Sequence, residues 1–75
     1  MQNWRAVAVL KDGKEALIVM GHSQFQVTNL YHEAFLEVVH PELQATCEGI
    51  VLQKWHGKPE RGRWVNAGTL RMPGY

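Results

Sequence analysis

Very little in this 75-residue chain can hold it together by covalent or metal chemistry. It has one cysteine, Cys47, so no disulfide can form within it, and its histidines (His22, His32, His40 and His56) do not fall at zinc-ligand spacings. Nowhere does it reach the roughly 18 consecutive apolar residues of a membrane-spanning helix, and its opening, MQNWRAVAVLKDG, lacks the apolar core of a secretory leader. We therefore expect a soluble, cytoplasmic protein with no membrane partner, and a lone thiol suits a reducing compartment. Net charge is only +1 and the pI about 8.0, far from the strongly basic balance of a typical nucleic-acid binder. Nucleophile elbows, phosphate-binding loops and dinucleotide fingerprints are missing, so the sequence implies no cofactor, and we expect a protein that is not an enzyme.

Length is a further shortage. The chain has room for one small domain, 1–75, and a domain of that size removes only about 60% of its unfolded surface from water. Hydrophobic gain and conformational entropy then nearly cancel. With neither disulfide nor metal to help, association with a second copy is the remaining device, and a homodimer is expected.

What is present is a clear alternation of periods. In Val27 to Leu43, the residues Val27, Leu30, Tyr31, Ala34, Phe35 and Val38 recur at spacings of three and four and form one apolar stripe on a helix. Thr28 or Asn29 can cap its start, and Pro41 ends it while suiting the first position of a further turn. Before it, Trp4–Leu10 and Glu15–Met20 read as strands of a hairpin joined at Asp12-Gly13. A two-residue turn there sets Lys11 opposite Lys14, Val9 opposite Ala16, Val7 opposite Ile18 and Arg5 opposite Met20. After the helix, Gly49–His56 and Arg63–Met72 form a second hairpin around the loop Gly57–Gly62, with Gly68 marking a bulge or a close backbone approach. The order β-β-α-β-β predicts an α+β fold, a four-stranded antiparallel sheet with one helix on one face. A small five-stranded β-barrel, with Phe35–Val39 extended, is the alternative architecture.

In the register just given, the first hairpin is apolar on both sides, and one helix can cover only one of them. Val7, Val9, Ile18 and Met20 on the second side, with Leu36 on the helix's polar face and Val39 at its edge, are the expected dimer interface. Charge is also uneven. Up to Gly49 the sequence has three basic residues against six acidic, and beyond it Lys54, Lys58, Arg61, Arg63 and Arg71 face Glu60 alone. Lys54, Trp55, His56, Lys58, Arg61, Arg63 and Trp64 are the candidate binding residues, because cations beside indoles attract phosphates and stack on bases. Trp55 and Trp64 read equally as a cross-strand aromatic pair. Glu37 and His40 have carboxylate–histidine metal spacing but lack the matching half, so no metal site is expected. No base is placed beside Cys47 by the sequence, and no catalytic residue is assigned. The expected role is a non-enzymatic binding or regulatory module acting as a homodimer. Nucleic-acid binding through the second hairpin is the alternative, and a small-ligand or enzymatic cleft between subunits near Trp4, Tyr31 and Tyr75 a third.

Overall fold

A computed structural model describes residues 2–73. It contains strands β1 (Trp4–Leu10) and β2 (Glu15–Gly21), helices α1 (Gln24–Val38) and α2 (Pro41–Ala45), and strands β3 (Cys47–Lys58) and β4 (Arg61–Leu70). The strands form one open antiparallel sheet in the order β2-β1-β3-β4, with α1 on one face. It is the expected α+β arrangement. The sheet does not close into a barrel, and the extended Phe35–Val39 of that alternative is helical up to Val38.

The first turn has three residues rather than two. The Leu10 N–H donates to the Lys14 carbonyl at 2.9 Å and the Gly13 N–H to the Leu10 carbonyl at 3.0 Å, with Gly13 at φ +84°. This is a type I turn closed by a left-handed glycine, and Asp12 Oδ1 braces it by accepting from the Lys14 N–H at 2.9 Å. Near the turn the register is therefore Val9↔Glu15, Ala8↔Ala16 and Val7↔Leu17, one residue off the expected pairing. A bulge at Ile18 then restores it, so that Arg5↔Met20 pairs as expected. The bulge changes which residues share a face. Ile18 and Ala16 turn inward to the helix, while Leu17 turns outward beside Val7.

Helix α1 begins earlier than its apolar stripe. Ser23, not Thr28 or Asn29, is the N-cap: its hydroxyl accepts from the Gln26 N–H at 3.0 Å, and Gln26 Oε1 reaches back to accept from the His22 N–H at 2.7 Å. Thr28 lies inside the helix and donates to the Gln24 carbonyl. The buried stripe is Val27, Tyr31, Phe35 and Val39, whereas Leu30 and Val38 stay exposed at its margins. The helix stops where expected. His40 is extended ahead of Pro41, which opens α2 at its first position. Strand β3 starts at Cys47, two residues before the expected Gly49.

The core lies between α1 and the inner face of β1, β2 and β3, and comprises Ala6, Ala8, Ile18, Val27, Tyr31, Phe35, Val39, Ile50 and Leu52. The alanines let the helix approach β1 closely. Behind β4, the chain turns back over this core: the Tyr31 hydroxyl donates to the Arg71 carbonyl at 2.8 Å, Met72 packs on the cluster and Pro73 is fully buried. Helix α1 packs chiefly on β2 and β1, so β3 and β4 run out from under it. Trp4 pairs with Lys54, and the Trp55 N–H donates to the Asn3 carbonyl at 2.8 Å; beyond that point β3 and β4 continue alone as a two-stranded ribbon, His56–Arg63. Its turn is Pro59-Glu60, far tighter than the expected Gly57–Gly62 loop, because Gly57 pairs with Gly62 and Lys58 with Arg61. Gly57, at φ +119°, provides the backbone conformation this pairing needs. The irregularity expected near Gly68 falls at the adjacent Ala67, where partners jump from Gly68 to Asn66. Among the described residues no helix is long and apolar enough to cross a membrane.

Candidate functional site

The face of the sheet away from α1 carries the most unusual chemistry of the chain. Residues in register share a face, so Met20, Arg5, Gln53 and Asn66 form one row across the four strands, and Leu17, Val7, Val51 and Thr69 form the next. In the first row the side chains are linked. The Arg5 Nε–H donates to Gln53 Oε1 at 2.7 Å, and Gln53 Nε2 donates to Asn66 Oδ1 at 2.9 Å. Gln53 is only 7% exposed, and both ends of its amide are used, which is what a buried amide requires.

The guanidinium of Arg5 lies over the Trp64 ring, 4.3 Å from its centroid. Trp64 in turn meets Trp55 edge to face, at 5.3 Å between centroids and an interplanar angle of 73°. The Trp55 indole N–H donates to the Lys58 carbonyl at 2.9 Å, which folds the ring along the ribbon against Gly62. Gln53 and Trp64 thus hold Arg5 on the face, with its terminal nitrogens beyond the Nε bond. Burial pulls its pKa below the ordinary guanidinium value, and the charge of Glu15 opposes that pull. Among the described residues no carboxylate lies within ion-pair distance of it; Asp12 pairs instead with Lys14, at the far end of the hairpin.

The sheet divides the residues expected to bind. Trp55 and Trp64 sit on the open face and form the cross-strand pair. Lys54, His56 and Arg63 alternate onto the opposite side, where Lys54 Nζ lies 5.2 Å from the Trp4 ring centroid. Lys58 and Arg61 flank the ribbon turn. Arg5, Gln53 and Asn66 were absent from the sequence-based set. Their signal was a lone glutamine inside the apolar run GIVLQKWH, in line with the only charged residue of β1.

The dimer set also divides. Val7, Val9 and Met20 lie on the open face, although Val7 is buried between Leu17 and Val51 in the neighbouring strands. Ile18 and Val39 pack in the core of the single chain, at 5% and 2% exposure, because the bulge turns one inward and the helix C-cap places the other against the sheet. Leu36 is half exposed on the outer side of α1. Trp4 and Tyr31, expected to line a cleft, pack with the core; Tyr75 lies outside the described residues. His40 caps α2, its Nδ1 accepting from the Glu42 N–H at 3.3 Å, and so leaves the helix that carries Glu37. Among the described residues no three His, Cys, Asp or Glu side chains gather as metal ligands. The Cys47 thiol donates to the Gly49 carbonyl at 3.3 Å and lies 3.8 Å from Met72 Sδ. No family model, curated protein or solved structure matches the chain.

Proposed function

We propose that the chain is a small binding module that works as a homodimer, the second copy adding along the outer edge of β4 and the open face of the sheet meeting the ligand. The observation that carries the dimer is the condition of β4. It is a ten-residue edge strand, exposed along nearly its whole length, and its outward N–H and C=O groups have no strand beside them. From Trp64 to Leu70 it has neither proline nor charge, the usual guards of an edge, and its one guarding device is the bulge at Ala67. The other edge, β2, is shorter, seven residues, and has α1 packed on its inner face.

Antiparallel self-pairing of β4 about a two-fold axis uses the same patch on both copies and keeps both helices on one side. Both Arg5–Trp64 clusters then fall on the other side. A cytoplasmic setting, which suits the free thiol of Cys47, belongs to the same proposal. Sedimentation equilibrium tests it on the chain and on the double variant Val65→Lys, Thr69→Lys, which changes two exposed side chains. The expected result is a dimer that becomes a monomer with an unchanged circular dichroism spectrum. A parent chain that stays monomeric at high micromolar concentration refutes the proposal.

A further inference from the structure

We infer that the open face binds single-stranded nucleic acid, with Arg5 taking a backbone phosphate and the Trp64–Trp55 pair meeting the bases beside it. This rests on the open face being the recognition surface and names its ligand class. Arg5 supplies the first reason. An arginine held by one Nε bond and one ring contact keeps its terminal N–H groups, the fork that matches a phosphate, for a ligand. Preorganisation by Gln53 and Trp64 lowers the ordering cost of using it.

Charge supplies the second. The modest net charge hides a strong separation along the molecule: Arg5 on the open face, Lys58 and Arg61 at the ribbon turn, and Lys54 and Arg63 on the other side of the same ribbon gather toward one end against Glu60 alone. Glu33, Glu37 and Glu42 lie on the helices, and Asp12, Glu15 and Glu48 lie toward the other end of the strands. An anionic polymer is thereby steered onto one end. From Gln53 to Lys58, at ~3.3 Å per residue, the track from Arg5 to the turn is roughly 17 Å long, enough for several consecutive phosphates rather than one small anion. Partly exposed indoles beside the cation favour a strand with splayed bases over a duplex, whose bases are already stacked.

The test is fluorescence anisotropy with labelled oligo-dT, oligo-U and a duplex of equal length, across a salt series. Single strands are expected to bind and the duplex to bind more weakly. With Arg5 on the open face and Lys58 and Arg61 at the ribbon turn each on a phosphate, log K should fall against log salt with a slope of about −2, a loss of about 20-fold between ~50 and ~200 mM. Arg5→Gln should weaken binding at least about tenfold, the scale of one charge-assisted hydrogen bond. Gln53→Glu provides a variant that keeps the row linked: its carboxylate pairs with Arg5 within the chain, Asn66 turns its amide to donate, and binding should fall likewise. The Lys58→Gln, Arg61→Gln double variant should flatten the slope by about 1.4.

Absence of salt-sensitive single-strand binding by the parent chain overturns the inference, as does preference for the duplex. Binding that is indifferent to both Arg5→Gln and Gln53→Glu overturns the assignment to this face. Sedimentation of the same samples reads the dimer separately, so either proposal can fail alone.

Discussion

Two glycines of β4 should respond to the same added methyl with opposite signs. At Gly62 a Cβ would stand 2.5 Å from the His56 carbonyl oxygen and 2.9 Å from Trp55 Cε2 and Nε1. Gly62 sits in register with Gly57, whose φ of +119° leaves the facing strand no easy way to retreat. Gly62→Ala must therefore part the ribbon by about half an ångström and push Trp55 off its seat. That threatens the indole hydrogen bond to the Lys58 carbonyl, about 1 kcal/mol, and the edge-to-face pair with Trp64, about 1 kcal/mol more. The sum, about 2 kcal/mol, corresponds to a Tm lowered by roughly 10 °C in a domain of this size.

At Gly68 nothing lies within 4 Å of a Cβ and φ is not in the left-handed region. Gly68→Ala removes freedom from the unfolded chain at no steric cost and should stabilise by about 0.5 kcal/mol. Thermal unfolding gives the signs, and the far-ultraviolet exciton signal of the Trp55–Trp64 pair reports the ribbon directly. That signal should fade in Gly62→Ala and persist in Gly68→Ala. Equal Tm values with the exciton signal intact in both would refute the packing described for Trp55.

Two other substitutions probe the body of the fold. Ser23→Ala removes the acceptor for the Gln26 N–H and should destabilise by about 1 kcal/mol, read in a urea titration; no change would move the helix start back toward Thr28. Tyr31→Phe keeps the ring in the core but loses the hydrogen bond to the Arg71 carbonyl, again about 1 kcal/mol. Limited proteolysis should then cut after Arg71 sooner than in the parent chain, and equal cutting rates would show that Met72 and Pro73 hold this segment unaided.

The fold class was legible because two signals are local: period two on either side of Asp12-Gly13, and period near four from Val27 to Phe35. Both are consequences of side chains having to reach one shared core. Registers were less legible. Asp-Gly fits a two-residue turn and also the last two positions of a three-residue one, and only the pull of Ile18 toward Val27 and Phe35 selects the second. The early start of α1 was readable in Ser23-x-x-Gln26, but Phe25, 78% exposed, hid the stripe at that end. The candidate site was half legible. A tryptophan pair across a hairpin is a near-neighbour feature, whereas Arg5 meets Gln53 through a strand pairing 48 residues apart that no local pattern announces.

The helix lying over only half of the sheet divides the molecule into two mechanical regimes. Beneath α1 the strands are clamped by a close-packed apolar interior. The ribbon is braced only by its backbone ladder and a pair of rings, so the local cost of distorting it is lower. Arg5 stands where the two regimes meet, bonded to Gln53 in the body of the sheet and stacked on Trp64 in the ribbon.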